Sequence, residues 1–493
     1  MRNSAKRLPL VALVLAAGFA LSNCASGEAQ APAATETVTE AAAEPSNGIS
    51  DNSELAGKIA ALVEASRASA PYPGVAISVR RGDAVILEKG FGYADLENNV
   101  EVTPESVFQI GSLTKSFTAL MIAQLAAEGK IDLDAPLSTY VPEYAGPAAD
   151  IPIHYFMNHT SGLVNYTNLP EYPRATRREF TREEMMDLFD DKPLDFQPGE
   201  AFLYSNSGTF LLGIVIEHVA GKPYEEVLQE RILTPLDLEQ TYYGHWEKII
   251  PGRVSGYAKG KDGFSNAPIL DDVIPFSAGA LLSTVGDVAH YVRSVHHDEF
   301  FGPVVTGIIH TQDTFPDGSK LDYARGSIGI TDWEGRTKIA HAGDIDGFSA
   351  YMAYYPDEDI TIVVTTNTRD VSPSAVGLEQ KIARLVFGIE RPAPSAEPLG
   401  TEEIADLTGN YKAGRLRVGL SRLGIEESNG GLAVVFGGVG SGAPAIPLIH
   451  LEGRRYIAAH DDEMEFYFTG AEGKADSVAM HWLGGAIPFS HEE

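Results

Sequence analysis

Cysteine is almost missing from this chain: Cys24 stands alone among 493 residues, so no intramolecular disulfide can hold the fold. Basic side chains are scarce too, 37 Lys and Arg against 68 Asp and Glu, and the formal charge of −31 argues against nucleic acid and anionic lipid surfaces as partners. No block of like charge is long enough to be an interaction tail, and no internal repeat is visible. The thirteen histidines show no metal-ligand spacing, and His296-His297 reads as an exposed helix end, so no metal or organic cofactor is called for. What is present, 44% hydrophobic residues and 49 glycines, describes a globular chain with room for two or three domains and a substantial core.

The first residues read as an address. Arg2, Lys6 and Arg7 make a positive start, and the apolar stretch Leu8 to Leu21 is too short to span a bilayer comfortably, which is the pattern of a secretory signal. Cys24 follows at once in Leu21-Ser22-Asn23-Cys24, a run that resembles a lipobox whose cysteine is lipidated after cleavage. Residues 1–24 are therefore expected to be a lipoprotein-like signal peptide, and residues 25–52, rich in Ala, Glu and Thr, a flexible spacer. An exported, periplasmic, membrane-anchored protein is the expectation, with lipidated Cys24 as the tether.

Organised chain begins near residue 53. Leu55, Ile59 and Leu62 recur at helical spacing, and Val75–Val79 and Val85–Leu87, split by Arg81-Gly82-Asp83, read as two strands joined by a tight turn. Residues 130–300 are helix-rich, with helices expected at Glu183–Phe189 and Phe210–Ala220. Strand signals return at Ser327–Ile330, Thr337–Ala340, Gly347–Tyr355 and Ile360–Thr366, before a helix over Ala375–Phe387. The pattern predicts an α+β (α/β) fold: an antiparallel sheet flanked by helices with an inserted helical region, over residues 53–390. The Pro-rich stretch Arg391–Pro398 marks a boundary, and residues 400–493, with short apolar runs broken by glycines, read as a small all-β domain.

Three constellations carry chemistry. In Gly111-Ser112-Leu113-Thr114-Lys115 an amine stands one helical turn after a hydroxyl, so that Lys115 can take the proton of Ser112. Leu113, Phe117, Leu120, Met121 and Leu125 recur at three- and four-residue intervals, which places Ser112 on the first turn of a helix. Its own backbone N–H can there point at an oxyanion. The second constellation is Tyr204-Ser205-Asn206, where a phenol, its pKa depressed by Lys115, can share a proton relay and an amide can hold a substrate carbonyl. Tyr166-Thr167-Asn168 offers the same spacing nearby. The third is His341-Ala342-Gly343-Asp344 at a strand end, where His341 can contact substrate, Gly343 can admit its backbone, and the N–H of Asp344 can complete an oxyanion hole.

Taken in this order, the three elements resemble the serine β-lactamase and penicillin-binding-protein superfamily, and most closely its class C-like branch of β-lactamase-related serine hydrolases. His159-Thr160-Ser161-Gly162-Leu163, Pro198-Gly199-Glu200 and Gly347-Phe348 also look like landmarks of that family, over roughly residues 55–390. The resemblance implies Ser112 as nucleophile, Lys115 as base, and Tyr204 and Asn206 as the Tyr-x-Asn pair, the Pro198-Gly199 context selecting Tyr204 over Tyr166. It also places His341 and Gly343 in the third motif, where many relatives have Lys-x-Gly. Lys261-Asp262-Gly263 and Lys412-Ala413-Gly414 fit that spacing, but neither occupies the strand immediately before Gly347-Phe348.

A permanent cation suits a substrate carboxylate, whereas a histidine is mostly neutral at pH 7 unless a neighbour such as Asp344 or Asp346 raises its pKa. The implied activity is a serine hydrolase that forms an acyl-enzyme on Ser112 from a small-molecule or peptide amide or ester. D-alanyl-type peptides are the favoured substrate class, ahead of β-lactams. A non-catalytic cell-wall-binding lipoprotein on the same fold is the competing expectation, and oligomeric state is open.

Overall fold

A computed structural model describes residues 48–70, 72–172, 180–245, 247–369, 371–395, 397–417, 421–459, 461–470, 473–482 and 485–492. The expected signal peptide, Cys24 and nearly all of the expected spacer lie outside these residues. Helix α1 (Gly48–Ser69) begins inside the stretch expected to be spacer, and its first buried residues are Ile59 and Val63.

The central sheet has eight strands, all pairing antiparallel. In chain order they are β1 (Gly74–Arg81), β2 (Ala84–Asp95) and β3 (Val100–Glu101), then, after the helical region, β5 (Tyr323–Ala324), β6 (Ile328–Trp333), β7 (Arg336–Ile345), β8 (Phe348–Tyr355) and β9 (Ile360–Thr366). Their spatial order is β5-β6-β7-β8-β9-β1-β2-β3, so early and late segments meet where β1 pairs with β9. Every residue of β8 and β9 is buried, which explains their unbroken apolar runs. Helices α1 and α5 (Ala375–Phe387) cover one face through Ile59, Val63, Leu378 and Ile382. Helix α4 (Val285–His296) covers the other through Val288, Tyr291 and Val292.

The inserted region contains α2 (Thr114–Ala127), the two-residue strand β4 (Phe202–Leu203) and α3 (Asn206–Ala220). Helix α2 is buried on nearly every side, with Thr114 to Ala123 and Leu125 all inaccessible, so it is a central helix rather than an amphipathic one. That position forces Lys115 into the core. At the end of α4 the structure corrects one expectation: His296 is buried rather than exposed, its Nδ1 lying 2.9 Å from Nε2 of His310, on whose ring it stacks. The helix following His296 brings His310 back over it and closes it off from solvent.

The C-terminal part is a closed eight-stranded antiparallel barrel. Its strands are β10 (Gly409–Ala413), β12 (Arg422–Ser428), β13 (Gly431–Phe436), β14 (Ala445–His450), β15 (Arg455–Ala458), β16 (Asp461–Thr469), β17 (Ser477–Trp482) and β18 (Gly485–His491), the last returning to pair with β10. Closure removes the free edges that an open sheet of this size would present. Tyr411, Tyr456, Phe466 and Phe489 fill its core. A further strand, β11 (Leu416–Arg417), leaves the barrel and pairs in parallel with β4. On another side, Arg384 and Arg391 meet Glu463 and Glu465 of β16, Arg391 at 2.8 and 3.0 Å, so buried ion pairs anchor the barrel to α5.

Candidate active site

Ser112 lies in a 3-10 turn, Gly111–Leu113, that runs directly into α2. The turn needs Gly111, whose φ is +49° and which has the backbone of Asp344 packed against it. A Cβ there would stand 3.0–3.1 Å from the N, C and O atoms of Asp344. The N–H-bearing backbones of Ser112 and Asp344 are thus adjacent, and both residues line one cleft with Asn206, Gly279 and Arg369. Gly343 is needed for the same approach. A Cβ on it would lie 2.0 Å from the carbonyl oxygen of Ile110, so it admits the nucleophile turn, not the substrate backbone expected of it.

Lys115 is fully buried, with Nζ 2.9 Å from Ser112 Oγ and donating to the Ala278 carbonyl at 2.6 Å. Desolvation alone holds its pKa well below the ordinary 10.5, since no carboxylate faces it. A neutral amine in that place has a lone pair for the Ser112 proton. Tyr204 is partly buried, with its hydroxyl shielded from solvent and its ring 4.9 Å from Lys115 Nζ. Burial pushes its pKa up, with the Ser112 hydroxyl acting in the opposite sense. This reverses the expected depression by Lys115: an uncharged lysine exerts little pull on a phenol, so Tyr204 keeps its proton and is a donor.

Asn206 starts α3 and lines the cleft, but its amide is otherwise engaged than expected. Asn165 Oδ1 accepts the backbone N–H groups of Thr167 and Asn206, which fixes it as an oxygen. The Asn206 atom facing it must then be Nδ2, which donates to Asn165 Oδ1 and to Thr167 Oγ1, both at 3.2 Å. With both amide protons placed, Asn206 offers substrate the acceptor Oδ1 rather than a donor.

His341 is not among the residues that line the cleft with Ser112 and Asn206. Its ring packs against Tyr204, with centroids 6.2 Å apart, and its Nε2 lies 2.7 Å from the Tyr323 hydroxyl. Desolvation above all pushes its pKa down to about 3, and neither Asp344 nor Asp346 counters this. The chain of contacts fixes its tautomer. The Ser205 N–H donates to His159 Nδ1 at 3.3 Å, leaving the His159 proton on Nε2, 3.3 Å from Tyr323. Tyr323 then donates to His341 Nε2, and the His341 proton is on Nδ1. Desolvation also lowers the pKa of His159, so this layer behind Tyr204 is uncharged. Tyr166 is buried against Phe189 and Phe210 and donates to the Ile274 carbonyl, away from Lys115.

Comparison with known proteins gives the same fold a family. A sequence model described as Beta-lactamase matches residues 59–387. The chain belongs to the beta-lactamase family. Penicillin-binding protein 4* of Bacillus subtilis (strain 168) is 24% identical over 342 residues, 65% of this chain and 75% of that protein. Among solved structures, an octameric penicillin-binding protein homologue from Pyrococcus abyssi superposes with a TM-score of 0.61 at 24% identity, covering 88% of this chain and 99% of the other. The D-amino acid amidase from Ochrobactrum anthropi SV3, complexed with D-phenylalanine, gives 0.60 at 23% identity, covering 68% and 99%. Membership of this family makes the protein a serine hydrolase of the beta-lactamase fold.

Sequence reasoning passed over four residues of this neighbourhood. His159 was quoted as a family landmark without a role; Asn165, Tyr323 and Arg369 carry no local signal, because only folding brings them to Asn206, His341 and the cleft.

Proposed function

We propose that the protein hydrolyses an amide or ester by way of an acyl-enzyme on Ser112, with D-alanyl-type peptides or small esters as substrates. The observation that carries this is the buried, carboxylate-free Lys115, with its amine 2.9 Å from Ser112 Oγ. Lys115 Nζ takes the hydroxyl proton as Oγ attacks the acyl carbon, and the oxyanion faces the N–H groups of Ser112 and Asp344. Tyr204, still protonated, donates to the leaving nitrogen or oxygen and is reprotonated from Lys115. Water then cleaves the serine ester by the same route, releasing the acid and restoring the Ser112 hydroxyl.

His341, neutral and behind Tyr204, does not supply a carboxylate clamp. Arg369 lines the cleft and is half-exposed, with Asp346 Oδ1 3.1 Å from its guanidinium, and it is the cation for a substrate carboxylate. Asp344 and Asp346 on the same wall add negative charge that partly opposes a substrate carboxylate.

Incubation with a fluorophosphonate or a penicillin, followed by intact mass, should show one covalent adduct that Ser112→Ala abolishes. No adduct with any acylating probe overturns the enzyme reading in favour of a binding protein. Export and tethering are proposed from the signal sequence and Cys24. Cys24→Ser should move the protein from the membrane fraction to the soluble periplasmic fraction.

A further inference from the structure

The barrel reaches the active site through one excursion. Strand β11 leaves it and adds to β4, pairing Leu416 with Phe202 and Arg417 with Leu203, immediately before Tyr204. The Phe202 N–H donates to the Arg415 carbonyl at 2.9 Å. The Arg415 side chain makes two further contacts: Nη1 donates to the Glu200 carbonyl at 2.7 Å, and Nε to Asp317 Oδ2 at 2.8 Å. Glu200 opens the segment that carries Tyr204 and Asn206. Asp317 lies in the turn closed by Phe315 and Ser319, which leads into Tyr323, the partner of His341 and His159. The two segments also share a small apolar cluster of Phe202, Phe315 and Leu321, against which Tyr204 and Tyr323 pack.

We propose that Arg415 is a positioning residue for the hydrolytic site: from the C-terminal barrel it clasps the Tyr204 segment and the Tyr323 segment together and sets Tyr204 over Ser112. Its energetic contribution to folding is small, because its side chain is 40% exposed and exposed ion pairs contribute little. The barrel does not depend on it for attachment, since Arg384 and Arg391 anchor β16 elsewhere. Its contribution is to alignment, where a displacement of about 1 Å can cost up to about 100-fold in rate. Arg rather than Lys fits the place, because a planar fork can serve a carbonyl and a carboxylate at once.

The inference rests on the acyl-enzyme reading of the site. The test measures kcat, KM and melting temperature of the full-length chain with a p-nitrophenyl ester, together with the rate of Ser112 labelling by a fluorophosphonate. Arg415→Ala should lower kcat and the labelling rate about 10-fold while KM changes less than about 2-fold and the melting temperature holds. Arg415→Lys, which keeps the cation and one of the two contacts, should recover kcat to within about 3-fold of the wild type. Labelling and turnover by Arg415→Ala at the wild-type rate overturn the positioning role. So does a loss that tracks a lowered melting temperature and is not recovered in Arg415→Lys. Wild-type protein that forms no Ser112-dependent adduct overturns instead the acyl-enzyme reading on which the role stands.

Discussion

Among the described residues two lysines are completely buried, and they differ in whether a carboxylate stands beside them. Lys115 on α2 has a serine hydroxyl and a carbonyl beside it and no carboxylate. Lys338 on β7 has Glu379 of α5 at 2.6 Å, with Trp333, Tyr351 and Tyr355 arranged around its ammonium group. Burial pulls both pKa values down, but Glu379 pulls that of Lys338 back up, and nothing does so for Lys115. The same side chain is therefore placed to act as a base in one setting and is half of an ion pair in the other. A missing counter-charge is the chemical signature of the first role, because it makes the amine easier to deprotonate and so available to accept a proton.

The sharpest way to break this comparison is to remove each amine. Lys115→Met should reduce acylation on the order of 1,000-fold, the loss typical of a positioned proton acceptor, measured by burst kinetics or labelling rate. It should leave the chain as stable as before or more so, by on the order of 1 kcal/mol, since a desolvated amine is replaced by an apolar chain of similar shape. Lys338→Met should behave in the opposite sense. It strands Glu379, which also accepts from Tyr355, and should cost about 3–5 kcal/mol in urea unfolding while kcat changes little. Equal effects of the two substitutions on kcat would erase the distinction.

A pH profile tests the same contrast without mutation. Because the folded-state pKa of Lys115 is depressed, the unfolded chain binds more protons between that value and 10.5. Lys115 therefore costs stability at neutral pH, a cost that fades as pH rises toward 10.5, and its activity is lost as pH falls through the depressed pKa. The acid limb of kcat/KM should lie well below pH 10.5 and vanish in Lys115→Met. A limb near 10.5 would mean an ordinary ammonium group.

Smaller effects are expected in substrate selection. Arg369→Ala should raise KM about 5- to 10-fold for peptides ending in a free carboxylate and leave amidated peptides unchanged, in line with loss of one charge-assisted contact. His341→Lys should alter the ratio of the two substrates by less than about 2-fold, because position 341 is behind Tyr204 and Tyr323. A large gain for the carboxylate substrate in that variant would put His341 back on the cleft wall.

The two buried lysines also mark how far sequence reading reaches. Lys115 was legible, because its partner Ser112 is three residues away and one helical turn joins them. Lys338 was not, because Glu379 is 41 residues away and meets it only when α5 packs on β7. The same rule separates Gly111, whose turn is local, from Gly343, whose tight partner Ile110 is more than 200 residues distant. Period-two and period-3.6 patterns located most strands of the central sheet and helix α5, which the structure bounds at the same residues, Ala375–Phe387. They indicated a β-rich C-terminal region but not that its strands close into a barrel.

By itself, then, the amino-acid sequence determined the family and the pairing of Ser112 with Lys115, the proposed nucleophile and base, since these depend on motifs and spacing along the chain. Only the tertiary structure decided the desolvation of that amine, the environment of Tyr204, the contact of His341 with Tyr323 and the grip of Arg415 on the segment that carries Tyr204. Those depend on dielectric and on contacts between segments far apart in the chain, and a linear order of residues contains neither until the core has excluded water.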